Sequence, residues 1–162
     1  MTASISGNKR IVLKAGYTEG GVEQVEGPAG GAILPGMNVV RSGISRTFER
    51  DTWVAGATNA VGTGTSDLPA AAPVRVAKED ALQGKTINDA YAQGDNVFVH
   101  IAKAGDNLQV YVASGQNFIK GQGLSAGSDG KFVVDNVTAA VEALEQTGGA
   151  LGADTLVRVA VL

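Results

Sequence analysis

The chain has 162 residues, enough for one domain of ordinary size with an arm or insertion and too few for two full domains. Hydrophobic residues make up 44% but aromatics only 5%, and 23 glycines beside 18% charged residues exclude a helical bundle laced with Lys and Glu and favour a mainly β fold with a core of small side chains. A formal net charge of −3 argues against nucleic acid and anionic membranes as partners, and zero cysteines exclude disulfides, thiolate metal sites and thiol nucleophiles.

Residues 1–9, MTASISGNK, are small and polar with Ile5 as one isolated apolar side chain, so the expectation is a flexible N-terminal arm. It has no apolar stretch of signal-peptide type, and no run in the chain is long enough to span a bilayer, so a soluble, unexported protein is expected. From residue 10 to 162 the expectation is one β-rich domain. Arg10 to Lys14 is a short β-type run, and Gly16 to Gly31 reads as a Gly- and Glu-rich loop. Leu34-Pro35-Gly36-Met37 predicts a type II turn, because Pro presets φ at the second position and Gly accepts positive φ at the third. Met37 to Val40 is the strand expected after it. The stretch 55–73 is mostly Ala, Gly, Thr, Ser and Pro and reads as a long loop.

Val74 to Val76 begins the next strand, and Thr86 with Asp89 has the spacing of a helix capping box, which predicts one or two helical turns into Ile87, Ala90 and Tyr91. An 11-residue repeat follows, GDNVFVHIA at 94–102 and GDNLQVYVA at 105–113. Strict alternation puts Val97, Val99 and Ile101 on one face, and Leu108, Val110 and Val112 on the equivalent face. With Lys103 to Asn107 between them, the simplest expectation is an antiparallel hairpin. Phe118-Ile119 and Lys131 to Val134 read as β segments separated by turn-dense GQGLSAGSDG, and Val157 to Leu162 reads as a terminal strand. The spacing of Val137, Ala140, Val141 and Leu144 predicts a helix over 137–146, capped by Asp135 or Asn136 and stopped by Gly148. Together these elements give a small β-barrel or β-sandwich-like domain with antiparallel hairpins and one or two short helices.

No catalytic or metal constellation emerges. His100 is the single histidine, falls opposite Tyr111 in the repeat and is read as a surface or interface residue. Ser114 lies outside any Gly-x-Ser-x-Gly elbow. Gly121 to Gly127 is one residue off a dinucleotide fingerprint and is read as a turn, Gly62 to Thr65 lacks a phosphate-loop Lys, and Glu79, Asp80 and Asp89 are read as solvated charge. No catalytic residue, metal ligand or cofactor is expected.

From Val74 to Lys131 the chain reads VRVAKEDALQGKTINDAYAQGDNVFVHIAKAGDNLQVYVASGQNFIKGQGLSAGSDGK. Its Glu79, Gly84, Lys85, Thr86, Ile87, Asp89, Tyr91, Gly94, Asp95, Gly105, Asp106, Gly121, Ser128, Asp129 and Gly130 follow the order of features in the cement, or decoration, proteins of tailed-bacteriophage capsids, which this chain resembles. The apolar-Pro-Gly turn at Ile33 to Gly36 also matches. Ala143-Leu144-Glu145 and Arg158-Val159 match two late strands of that family, which sets a strand against the helix expected at 137–146. The resemblance implies a non-enzymatic virion protein, made in the host cytoplasm, on the outer capsid surface, with the major capsid protein as partner and self-association as a trimer or, alternatively, a dimer. The alternative reading is a β-rich carbohydrate- or host-surface-binding module. Ile5, Lys9 and Arg10 are the candidate capsid-binding residues, as an apolar side chain and two cations on a segment able to order against a partner.

Deleting residues 1–9 is expected to weaken co-sedimentation with capsids while leaving the melting temperature unchanged. A collapsed melting temperature would place the arm in the core instead.

Overall fold

The computed structural model describes residues 11–14, 24–42, 52–57 and 74–162. The elements in order are β1 (Val12–Lys14), β2 (Gln24–Pro28), β3 (Val39–Ser42), β4 (Thr52–Ala55), β5 (Arg75–Ala77), a 3-10 turn (Ala81–Gln83), β6 (Asn96–Ile101), β7 (Asn107–Val112), β8 (Gly123–Ala126), β9 (Phe132–Val134), β10 (Val141–Ala143) and β11 (Thr155–Val161). The fold is mainly β. No described helix is long and apolar enough to cross a membrane.

Five strands close a small barrel in the order β7–β11–β10–β8–β9, with a parallel contact between Val112 and Phe132 bringing β9 back to β7. Its longest ladder pairs β7 with β11 from Thr155↔Val112 to Ala160↔Asn107. The edge of β7 that faces β9 is satisfied by three separate segments. Gln109 N–H donates to Ile11 C=O at 2.7 Å, Tyr111 N–H to Gly36 C=O at 3.0 Å, and Ala113 N–H to Phe132 C=O at 2.9 Å. Closure in this piecewise way leaves no run of bare amides on that edge.

The predicted turn at 34–37 forms: Met37 N–H donates to Leu34 C=O at 3.1 Å and Gly36 has φ 95°. A Cβ on Gly36 would also come within 2.7 Å of Leu156, because the turn presses against the barrel. Outside the barrel, β2, β6 and β5 form a three-stranded sheet, and β3 pairs with β4. Two apolar clusters result. Leu108, Val110, Val112, Leu124, Phe132 and Val157 fill the barrel with β5's Val76, while Ile33, Trp53, Tyr91, Val97 and Val99 form the second.

The 11-residue repeat is not a hairpin. Its two strands, β6 and β7, belong to different sheets and feed different cores. What the repeat encodes is the turn that launches each strand. Asp95 N–H donates to Ala92 C=O and Ala92 N–H to the Asp95 carboxylate; Asp106 N–H donates to Lys103 C=O and Lys103 N–H to the Asp106 carboxylate. Gly94 and Gly105 occupy the same left-handed position, φ 88° in both. Tertiary burial then sends the strands apart, because Leu108 to Val112 completes the barrel and Val97 to Val99 packs on Trp53 and Tyr91.

Four further expectations are corrected or decided. Between the helix that the spacing predicts at 137–146 and the strand that the family resemblance implies, the strand forms, as β10, since Val141 and Ala143 face the barrel interior and Glu142 between them is only half-buried, the period of a strand. The capping box at Thr86 and Asp89 closes a reverse turn rather than a helix, and helical geometry occurs upstream at Ala81–Gln83. Phe118-Ile119 is not a strand; Phe118 enters the core from an irregular segment, and β8 lies within the stretch read as turns. β2 occupies part of the 16–31 loop, and β4 ends at Ala55, so Gly56 and Ala57 are all that is described of the 55–73 loop.

Asn38 joins the parts. Its Nδ2 donates to Gly56 C=O at 2.8 Å, its Oδ1 accepts from Arg75 N–H at 3.1 Å, its N–H donates to Gly130 C=O at 2.9 Å, and its C=O accepts from Gly56 N–H at 3.1 Å. Replacing it by Ala leaves a buried carbonyl and a buried amide without partners, an expected cost of about 2 to 5 kcal/mol. Urea unfolding of Asn38→Ala against the parent reads this directly, and a loss below about 1 kcal/mol would refute it.

Candidate functional site

The first of the residues that carry the cement-protein resemblance, Glu79 to Asp95, lie between β5 and β6. Glu79 accepts the N–H of Ile11 at 3.0 Å, fixing the start of β1. Asp80 and Lys85 exchange both backbone hydrogen bonds at 2.8 Å, closing a tight loop around the 3-10 turn. The Asp80 carboxylate caps that turn by accepting Leu82 N–H at 3.0 Å, and it also accepts from the Gln83 amide, whose nitrogen donates to Asn96 C=O at 2.9 Å. Gly84 ends the turn in the left-handed region, φ 70°. Reading Asp80 as solvated charge is therefore wrong. It is buried, and its carboxylate is taken up by the Leu82 and Gln83 donors of its own turn.

Lys85 reaches over the second core. Its Nζ lies 3.0 Å from Asp95 Oδ2 and 3.0 Å from Ala90 C=O, and 5.9 Å from the ring centre of Tyr91. Tyr91 is fully buried and donates its hydroxyl to Lys78 C=O at 2.7 Å. Burial, with Asp80 nearby, pushes its phenol far above the usual value. Thr86 donates its N–H to Asp89 Oδ2 at 3.0 Å, and the Thr86 hydroxyl donates to the same carboxylate; these bonds hold Asp89 below the ordinary carboxylate range. The Gly-Lys-Thr-Ile-x-Asp-x-Tyr segment is thus a clasp that seats Tyr91 and starts β6.

The late motifs meet as well. Ala143 pairs with Val159 across β10 and β11, and Arg158 Nε donates to Glu145 Oε1 at 2.6 Å. The Ser128-Asp129-Gly130 turn joins β8 to β9: Gly130 N–H donates to Gly127 C=O at 2.9 Å, and Asp129 accepts Lys131 N–H at 3.1 Å. Lys131 Nζ pairs with Asp154 Oδ2 at 2.8 Å, raising the lysine and lowering the aspartate.

His100 is not on the surface. It is 1% exposed, and its Nε2 lies 2.9 Å from Oδ2 of the equally buried Asp106. Ser114 is exposed and its N–H donates to Asp154 Oδ1 at 2.9 Å. Ser114 and His100 are not brought together by any described contact. No group of three metal-capable side chains occurs among the described residues. Ile5, Lys9 and Arg10 lie outside the described residues, and Ile11, which follows them directly, is fully buried.

Asp135, after β9, offered by the sequence as a helix cap, instead closes a turn. It accepts Val137 N–H at 2.9 Å, Thr138 N–H at 3.0 Å, Ser125 Oγ at 2.7 Å and the Thr138 hydroxyl. Its spacing to Thr138 is the one available signal for the turn. The Thr138 hydroxyl bond, the largest cause, holds its pKa far below the ordinary value.

Because the folded-state pKa is depressed, this group stabilises the fold above the unfolded value of about 3.9, and the contribution is lost as pH falls below it. Asp89, Asp95 and Asp154 shift the same way. The melting temperature is expected to fall between pH 5 and pH 3, and less steeply in Asp135→Asn, which starts lower at pH 7. Equal slopes in the two proteins would count against Asp135 as a contributor.

No model of a protein family matches the chain, and no curated protein matches it. Among solved structures it is similar to the crystal structure of the head fiber gp8.5 N base in bacteriophage phi29, with a TM-score of 0.52 at 14% identity, covering 87% of this chain and 94% of that one. At that identity the likeness is one of fold.

Proposed function

We propose that this protein is a non-enzymatic structural component of a tailed-phage virion, seated on the outer surface of the capsid and stabilising the shell by bridging neighbouring major capsid subunits. The observation that carries the reading is the fold shared along 87% of the chain with the N base of a phage head fiber. It agrees with the resemblance of the Gly-Lys-Thr-Ile-x-Asp-x-Tyr and Ser-x-Asp-Gly segments to capsid cement proteins.

The described residues suit a role by contact. The acidic side chains that the motif supplies, Glu79, Asp80, Asp89, Asp95 and Asp106, accept hydrogen bonds from their own turns or from β1. These bonds hold the frame, and those on Asp89 and Asp95 keep the two carboxyls below the ordinary range, which makes them poor proton donors. A rigid frame loses little entropy on docking, and an icosahedral lattice multiplies each weak contact by avidity. Self-association as a trimer is part of the proposal.

Shells lacking this protein, mixed with it at about a hundredfold excess over Kd, are expected to gain about 2.7 kcal/mol per independent site, seen as a higher shell melting temperature together with co-sedimentation. Co-sedimentation without a shift in shell melting would keep the virion role and remove the stabilising one. Absence of both would refute the proposal, and sedimentation equilibrium tests the trimer separately.

A further inference from the structure

Four large hydrophobic side chains are strongly exposed among the described residues, and the two most exposed, Leu82 at 96% and Val137 at 92%, share one local construction. Each stands two residues after an aspartate whose carboxylate accepts its backbone N–H, Leu82 to Asp80 at 3.0 Å and Val137 to Asp135 at 2.9 Å. Neither turn is loose. The Leu82 turn is closed by the paired Asp80 and Lys85 backbones, by Gly84 N–H to Ala81 C=O at 3.2 Å, and by Gln83 reaching Asn96. The Val137 turn is held by Ser125 and Thr138 on Asp135 and crosses β8 so closely that a Cβ on Gly123 would lie 2.5 Å from Ala139 Cβ and 2.7 Å from Asp135 C=O.

Both tips are electrically quiet. Leu82 is flanked by exposed Ala81, Gln83 and Gly84, and Val137 by exposed Asn136 and Thr138, while the nearby carboxylates are engaged by their own turns. These side chains add almost nothing to the fold's burial. An aliphatic group on a fixed, uncharged tip is what an apolar pocket in a protein surface accepts at least entropic cost, since the turn is already ordered before docking. A membrane insertion tip would carry basic or aromatic neighbours, and neither tip has one within two residues. The two turns sit in different parts of the fold, one beside the β2–β6–β5 sheet and one on the barrel.

We propose that Leu82 and Val137 are two preorganised aliphatic anchors, each inserting into an apolar pocket on a protein subunit of the virion shell. This rests on the functional reading above and names its contacts. The placement of the anchors on separate parts of the fold gives a bridging protein two independent points of attachment.

The test uses the full chain with shells lacking it, and the variants Leu82→Asp, Val137→Asp, the double variant, and Gln93→Asp as an exposed turn control. The expected result is an unchanged melting temperature for all four proteins, at least a tenfold loss of shell affinity in each single anchor variant, a roughly multiplicative loss in the double, and none in the control. Leu82→Ala and Val137→Ala are measured beside them, so that binding can be read without an introduced charge. Parent-like affinity of the anchor variants overturns the inference while leaving the functional reading intact. A lowered melting temperature in both the Asp and Ala variants also overturns it, because the side chains would then belong to the fold. Parent protein that does not bind shells refutes the functional reading and the anchors with it. Binding of the parent to phosphatidylcholine vesicles that is lost in Leu82→Asp would replace the protein pocket by a lipid surface.

Discussion

The fold depends on satisfying backbone groups where short strands end inside the molecule, and Asn38 is where that constraint is most acute. Strands of three to seven residues cannot form long ladders, so their terminal amides and carbonyls fall near the junction of three sheets. A buried peptide group left without a partner costs about as much as a lost hydrogen bond. Asn38 answers with a side chain that presents both a donor and an acceptor, serving Gly56 and Arg75, while its own backbone serves Gly130 and Gly56. Asp in its place would offer no donor to Gly56, and Leu neither group. The same accounting explains β7, whose open edge is covered by Ile11, Gly36 and Phe132 in turn. The β1 strand and the Pro35-Gly36 turn are thus parts of barrel closure rather than decorations on it.

A second theme is the aspartate-held turn. Asp80, Asp89, Asp95, Asp106 and Asp135 each accept a backbone N–H from within their own turn, and Asp135 accepts two. This chemistry takes the place of a large aromatic core. With small side chains supplying modest burial per residue, turn geometry has to fix register that bulky packing would otherwise fix. Through Asp89, Asp95 and Asp135, whose carboxyls are held below the ordinary range, it also ties the fold's stability to ionised carboxylates that acidification removes.

Much of this was legible. The type II turn at Pro35-Gly36, the buried faces at Val97 and Val99 in β6 and at Leu108, Val110 and Val112 in β7, the terminal strand and the β class all follow from local chemistry, whereas at the end of β6 His100 is buried and Ile101 only partly so. The failures share a cause. At 137–146 the apolar spacing suits a helix and a strand nearly equally over so short a run, and pairing with β11 and β8 decides it. The hairpin expectation for the repeat failed because local sequence encodes the turn but not the sheet to which each strand goes. β2 was missed since its polar and Gly-containing segment becomes a strand through β6, distant in sequence, and β4 is only four residues long and becomes a strand by pairing with β3. Of the candidate site, the motif residues were identified but their use as a clasp was not, because Lys85 meets Asp95 and Tyr91 only once the chain has turned back on itself.

The repeat also explains the single histidine. Both copies of Gly-Asp-Asn build the same turn, yet they stand in opposite surroundings. Asp95 faces outward and is met by Lys85 across a partly exposed gap, a pairing that water can assist. Asp106 is carried inward, because the corner it forms exchanges hydrogen bonds with the last strand: Gly105 N–H donates to Val161 C=O and Val161 N–H to Asp106 C=O, both at 2.9 Å. A buried carboxylate with only the Lys103 amide upon it would carry a large desolvation cost. His100 brings a second polar partner, 2.9 Å from Oδ2, from the strand that the repeat itself begins. The polar face of β6 on which His100 was expected to meet solvent is turned inward here by that corner. The residue that looked most available for chemistry is instead the counterpart that permits a surface-type turn to be used in the interior.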